Sequence, residues 1–299
     1  MVNSVREDNA HIVSCDWLKQ HLQDDDLRVV DASWHLSALG RDAKQEHAQA
    51  HIPDAVFFDI DEFSAESPLP HMMPDAVTFN KAAAALGIAA DHRIVVYDTV
   101  GLYSAARVWL MFRYFGAKHV RILDGGLPAW IRAEGPLDSS DNTAVADALK
   151  PAVAAQAEFV APDNLRKHNV IMDAATVLKS LDDNNTIILD ARSQQRFTGE
   201  QKEARAGLRS GHIPGSINVP FQHVLDDHGM LKSPDELRAL FEQLSLTPET
   251  PVVTSCGSGV TAAILCLALE TAGYKPAGLY DGSWSEWGGR DDLPIATSH

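Results

Sequence analysis

Residues 254–262 read TSCGSGVTA, which sets Cys256 between the apolar run PVVTS and the stretch VTAAILCLALETAG. A buried strand followed by an apolar helix puts the joining loop at the carboxyl end of the strand, where open α/β sheets bind ligands. Gly257 and Gly259 give this loop torsions closed to other residues, so that successive N–H groups, those of Val260 and Thr261 included, can turn inward around an anion. The amino end of the helix, which Gly273 would cap at its far end, contributes up to about 2 kcal/mol to a neighbouring negative charge and so favours a thiolate. A thiolate in a cradle of amides is a nucleophile for covalent group transfer, provided the sulfur can be reached. Ser258 is a candidate hydrogen-bond donor to the substrate or the sulfur, or alternatively a turn-former or helix cap.

The other two cysteines read differently. Cys266 falls on the apolar face of the helix and is expected to pack. Cys15, before DWLKQHL, reads as structural or inert. Three widely spaced cysteines give neither a disulfide framework nor a paired metal site, which suits a reducing compartment. A formal net charge of −16 excludes nucleic-acid phosphate and an anionic membrane surface as partners. An anionic substrate therefore needs a locally positive pocket. The first residues lack the apolar core of a signal peptide, and no stretch is long and apolar enough to span a bilayer, so the expected location is cytoplasmic. No glycine-rich nucleotide fingerprint follows a strand and no ligand cluster has metal spacing, so neither cofactor nor metal is expected.

The elements that would position Cys256 occur twice. VVDASW recurs as ILDARS, AHIPDAVFFD as GHIPGSINVP, IVVYDTVG as PVVTSCGSG, and ILDGGLPAW as LYDGSWSEW, all in one order and at one offset of about 160 residues. Matches that hold register in this way mean a duplicated domain. Within each copy, β-branched runs alternate with helix-like segments such as SAARVWLMFRYFG and PDELRALFEQLSL. The pattern predicts an α/β fold, each half a mostly parallel sheet flanked by helices. The expected boundaries are 1–140 for the first domain, 141–165 for an Ala-, Asp- and Pro-rich linker without periodicity, and 166–299 for the second. A cleft between two domains is the default ligand site. His51 and His212 in the repeated HIP motifs are expected to fix backbone by hydrogen bonding, and Trp130 and Trp287 to cover the two cores.

The order CGSGVTA after a strand with DGSWSEW downstream, together with VVDASW, HIPDAVFFDID, YDTVG and GHIPG, resembles the tandem-domain sulfurtransferases of the rhodanese superfamily, and within them the branch that uses 3-mercaptopyruvate. The resemblance implies two rhodanese-like domains, the first inactive because Asp98 stands where the second has Cys256. It implies sulfur transfer from 3-mercaptopyruvate through a Cys256 persulfide to an acceptor such as thioredoxin, a small thiol or cyanide, with release of pyruvate. It also implies a relay of Ser258, His71 in PLPHMMP and Asp61 in FFDIDEF, although Pro70 stands where several relatives have an acid. Taken alone, His71 would read as an exposed loop histidine. Arg196 and Arg205 match family positions that hold the substrate's carboxylate and keto oxygens, with Gly257, Gly259, Val260 and Thr261 lining the loop. A guanidinium suits a planar carboxylate because two parallel N–H bonds can form. Arg192 is expected to brace Asp190 or the backbone instead. EARAG around Arg205 departs from the family's commoner EPRPG.

Thiosulfate-preferring relatives carry Arg and Lys directly after the cysteine, whereas neutral Gly257 and Ser258 follow here, so a carboxylate-bearing donor is favoured and weak thiosulfate activity is expected. A phosphatase would need an arginine at the far end of the loop, which GSGVTAA lacks. The alternatives are a thiosulfate-preferring sulfurtransferase and a non-catalytic module that carries a persulfide for signalling.

Overall fold

The structure is a computed structural model that describes residues 10–139, 158–160, 170–182 and 185–297. The chain divides into two compact units that do not follow the two halves of the sequence strictly. The first unit takes the chain up to Ala65, the stretch from Pro74 to the linker, and Asp227–Leu231. The second takes Glu66–Met73, the rest of the second half up to Asp226, and everything from Lys232 onward. The exchanged segments are themselves equivalent in the repeat.

In the first unit β1 (Ile12–Val13), α1 (Cys15–His21), β2 (Leu27–Asp31), α2 (Ala43–Gln49), β3 (Val56–Phe57), α3 (Ala76–Ala85), β4 (Arg93–Tyr97), α4 (Ala105–Tyr114), β5 (His119–Leu123) and α5 (Gly126–Arg132) follow one another. The second unit repeats the scheme with β6 (Ile171–Met172), α6 (Ala174–Ser180), β7 (Ile187–Asp190), α7 (Gln194–Thr198), β8 (Ile217–Asn218), α8 (Pro234–Gln243), β9 (Val252–Ser255), α9 (Ala262–Thr271), β10 (Gly278–Tyr280) and α10 (Ser283–Trp287). Both sheets are parallel and share one strand order, β1-β5-β4-β2-β3 and β6-β10-β9-β7-β8. The two-domain parallel α/β reading therefore holds.

The central strands explain why the apolar runs are unbroken. Ile94, Val95, Val96 and Tyr97 of β4 and all four residues of β9 are buried, as a parallel strand covered on both faces requires. Helix starts follow capping rules: Ser14, Asp42, Asp75 and Asp173 each accept a backbone N–H of the first turn, and Ser233 with Glu236 forms a capping box ahead of Pro234. Trp130 and Trp287 sit wholly buried in the two cores, their indole N–H groups donating to Pro136 O (2.8 Å) and Pro294 O (2.7 Å). His51 and His212 hold backbone as expected, with Nδ1 facing His47 O at 2.6 Å and Phe197 O at 2.8 Å. Each also pairs in an antiparallel bridge, with Asp138 and Ala296 respectively.

Most of the predicted linker, 141–165, lies outside the described residues. Of its described residues 158–160, Glu158 and Val160 are exposed and Phe159 is buried. Phe159 is buried edge-on against Phe79 at 5.2 Å, and its backbone N–H and C=O both pair with the Asn80 side chain. A single large aromatic gives no period yet buries enough area to anchor a segment. No described helix is long and apolar enough to cross a membrane.

Candidate active site

Cys256 directly follows β9, and α9 begins six residues later at Ala262. The turn DGSW after β10 clamps the loop between them. Trp284 N–H donates to Cys256 O and Ser285 N–H to Gly257 O, each at 2.9 Å, and Ser285 Oγ adds a 2.6 Å bond to Gly257 O. Beneath the loop, the Ser283 hydroxyl accepts the N–H groups of Cys256 and Gly259, both at 3.1 Å, and donates to Tyr280 O at 2.8 Å.

The two loop glycines serve different ends. Gly259 has φ 74° and needs the left-handed freedom that the sequence implied. Gly257 does not: a Cβ there would meet Arg196 Nη2 at 3.2 Å, so the glycine lets a guanidinium approach the loop. Arg196 is steadied by both carboxylate oxygens of Glu203, and one of them, Oε1, also takes Arg192 Nη1 at 2.8 Å. Arg192 braces as expected, bonding Asp190 (2.6 Å) and Gly211 O (2.8 Å) while stacking 4.2 Å from the centre of the Trp284 ring. Burial opposes its charge, yet Asp190 and Glu203 together hold the guanidinium above the ordinary arginine range. Arg205 is exposed and donates to Ser285 Oγ at 2.8 Å. Both substrate-binding candidates thus sit beside Gly257, one directly and one through Ser285.

His71 arrives on the exchanged segment Glu66–Met73. It is not an exposed loop histidine: it is 3% exposed, with φ 58°, and its Nδ1 lies 2.9 Å from Ser258 Oγ in a hydrogen bond whose direction follows the imidazole tautomer. The segment is pinned by Met73 N–H, which donates to Asp281 Oδ2 at 2.7 Å. The first unit makes the same contact, Leu231 N–H to Asp124 Oδ1 at 3.0 Å. Asp61 belongs to the first unit, where its exposed carboxylate accepts the Trp34 indole N–H at 2.9 Å. Cys256, Ser258, His71, Arg196, Arg205, Gly257, Gly259, Val260 and Thr261 are therefore gathered in the second unit, and Asp61 is not among them.

Cys256 is 1% exposed, deeper than the reachable thiol the sequence suggests, and Ser258, Gly259 and Val260 are buried with it. Gly257 and Thr261 are the partly exposed members of the loop. Cys266 packs in α9 with its sulfur 3.1 Å from Thr254 Oγ1. Cys15 starts α1 as a protonated thiol, because burial pushes its pKa up to about 11.

What such a loop can hold is visible in the first unit. Asp98, the counterpart of Cys256, is wholly buried and accepts five backbone N–H groups: Val100 (2.9 Å) and Gly101 (3.0 Å) on Oδ1, and Tyr103 (2.7 Å), Ser104 (3.0 Å) and Ala105 (2.9 Å) on Oδ2. The loop is an anion cradle in fact as well as in sequence. Sequence reasoning missed Asp281, which pins the segment carrying His71, and Ser283, Ser285 and Glu203, each of which holds a site residue. The repeated DG turn was the signal for the first two.

The comparisons agree with this geometry. The family model described as the rhodanese-like domain matches residues 14–133 and again 173–290. The chain is 41% identical over 296 residues to thiosulfate/3-mercaptopyruvate sulfurtransferase 1, mitochondrial, of Arabidopsis thaliana, covering 95% of this chain and 77% of that protein. It is 41% identical over 287 residues to the 3-mercaptopyruvate sulfurtransferase of Escherichia coli K12, covering 95% and 96%. The crystal structure of SseA from Escherichia coli, described as showing the rhodanese fold and catalytic mechanism of 3-mercaptopyruvate sulfotransferases, superposes with a TM-score of 0.77 at 39% identity, covering 92% of this chain and 99% of that one. With two copies of the domain, a shared strand order and relatives of this identity along nearly its full length, the chain belongs to the rhodanese-like domain family.

Proposed function

We propose that the protein is a sulfurtransferase that takes sulfur from 3-mercaptopyruvate. The observation that carries this reading is the loop of Cys256, which stands where the first unit has the Asp98 cradle but begins with a sulfur nucleophile and is flanked by two arginines. The Cys256 thiolate attacks the donor sulfur, the carbon–sulfur bond breaks, and its electron pair leaves as the enolate of pyruvate, which takes up a proton. Cys256 then carries a persulfide. A thiol or cyanide acceptor attacks the outer sulfur, the sulfur–sulfur bond breaks, and the Cys256 thiolate returns.

Arg205, exposed beside Gly257, holds the donor carboxylate, and Arg196 holds the keto oxygen, where charge develops as the enolate forms. The Ser258–His71 pair is the proton route at the loop. A part for Asp61 in that relay rests on resemblance to the family. The donor approaches along the Gly257–Thr261 rim, the partly exposed side of the loop, and side chains there must give way for it to reach the sulfur. The three free cysteines suit a reducing compartment, the cytoplasm in our reading.

The test compares pyruvate release from 3-mercaptopyruvate with thiocyanate formation from thiosulfate and cyanide. The wild type is expected to prefer 3-mercaptopyruvate, and Cys256→Ser to release no pyruvate. Arg205→Ala is expected to raise KM for 3-mercaptopyruvate about 10- to 100-fold, the equivalent of losing one charge-assisted contact. A wild type that releases no pyruvate would instead be a persulfide-carrying module, and an unchanged KM would remove Arg205 from the carboxylate site.

A further inference from the structure

Ser283 is a serine in a glycine's place. Its φ of 48° lies in the left-handed region, and its side chain is wholly buried. The equivalent residue of the first unit is Gly126, at φ 54°. Holding a serine in that conformation costs about 1–2 kcal/mol relative to glycine, and such strain persists where the surroundings use it. Here every hydrogen-bonding capacity of the hydroxyl is taken: two N–H groups of the Cys256 loop donate to it and it donates to Tyr280 O.

The first unit could not accommodate such a side chain. A Cβ on Gly126 would stand 2.4 Å from Asp98 O and 2.8 Å from Gly101 O, so that loop closes directly onto the turn. Gly101, the counterpart of Gly259, gives its N–H to Asp98 Oδ1 at 3.0 Å. In the second unit the Gly259 N–H goes to Ser283. The N–H groups of Ser258, Thr261 and Ala262, whose counterparts all bind the Asp98 carboxylate, have no acceptor among the hydrogen bonds of the described residues.

The chemistry of the two side chains makes this comparison pointed. The carboxylate oxygens of Asp98 stand two bonds from Cβ, as would the outer sulfur of a Cys256 persulfide. The first unit is therefore an internal copy of the loaded cradle, with its anion built in. A carrier alternates between loaded and empty, and when empty it lacks the outer sulfur, the atom that would reach the amides as the Asp98 oxygens do. We propose that Ser283 is a positioning residue that keeps the Cys256 cradle open in its sulfur-free state, taking one amide and the cysteine backbone so that the remaining amides stay set for the incoming sulfur. The inference rests on the reading of Cys256 as the sulfur carrier.

It predicts that the two half-reactions depend on Ser283 unequally. Ser283→Gly relieves the backbone and recreates the residue at position 126, and Ser283→Ala keeps Cβ but removes the hydroxyl. In single-turnover measurements, the pyruvate burst from 3-mercaptopyruvate is expected to slow at least tenfold in both variants. Sulfur release to cyanide from enzyme already carrying the persulfide is expected to change less than threefold, because the bound sulfur then orders the amides. Thermal unfolding of Ser283→Gly is expected within a few degrees of the wild type. Equal slowing of both half-reactions, or an unaltered burst, would overturn the proposal. Cys256→Ser is run alongside: if it still gives a burst, the carrier assignment fails, whatever the Ser283 variants do.

Discussion

The two units solve one structural problem in opposite ways. Each has a strand, a loop with a left-handed glycine and a helix in the same parallel topology, and each places one side chain, Asp98 or Cys256, at the point where the loop leaves the strand. The first fills that point with the Asp98 carboxylate and binds it through five N–H groups. The second places Cys256 there and satisfies only part of the loop, through Ser283. A permanent anion makes a rigid, chemically silent knot. In our reading, leaving the same amides uncommitted makes a receptor for a sulfur that comes and goes, at a cost in stability that a functional site can bear.

The sharpest way to break the comparison is to remove the anion from each cradle. Asp98→Ala leaves buried donors without an acceptor, and each such loss costs about 1–3 kcal/mol, partly relieved by water and local collapse. A net destabilisation of about 4 kcal/mol is expected in urea or thermal unfolding. Cys256→Ala removes a buried sulfur that accepts no hydrogen bond among the described residues and should cost no more than about 1.5 kcal/mol. Equal losses at the two positions would mean that the loops are held alike after all.

A second, smaller asymmetry lies under the loops. Gly126→Ala puts a Cβ into Asp98 O and Gly101 O and forces a non-glycine residue to positive φ, with an expected loss of about 3 kcal/mol. The converse change, Ser283→Gly, trades a strained torsion for three lost hydrogen bonds, two accepted and one donated, and should cost no more than about 1.5 kcal/mol. If Gly126→Ala were as well tolerated as Ser283→Gly, the close approach in the first unit would not be the reason for its glycine.

These residues also mark where the sequence was legible. The duplication showed because apolar strands and DG turns keep their spacing under any substitution that preserves burial. Cys256 and Gly259 were readable because a strand, a glycine-bearing loop and a helix restrict which residue types fit, whereas Arg196 and Arg205 came from the family resemblance. Ser283 was hidden by local propensity, since serine in a left-handed turn runs against expectation and only its alignment with Gly126 exposes it. His71 came from the family resemblance alone: its burial against Ser258 depends on an exchanged segment, and no local pattern encodes a bond between residues 187 positions apart. Gly257 was read as needing a special torsion, but its φ is not in the left-handed region, and what stands close to it is the Arg196 side chain.

The mildest test asks whether the two cores are as alike as their sheets. Trp130 and Trp287 are both wholly buried, and both donate an indole hydrogen bond to a carbonyl six or seven residues downstream, at 2.8 and 2.7 Å. Replacing either by phenylalanine removes that bond, leaves a proline carbonyl unpaired and opens a small cavity, with an expected cost of about 2 kcal/mol. The costs should agree within about 0.5 kcal/mol and add in the double variant, since the residues belong to separate cores. A clear excess at Trp287 would trace to its edge-on contact with Tyr280 at 5.9 Å, from the strand that leads into Ser283. That excess would tie the packing of the second core to the turn beneath Cys256, and the same variant would then slow sulfur loading where Trp130→Phe does not.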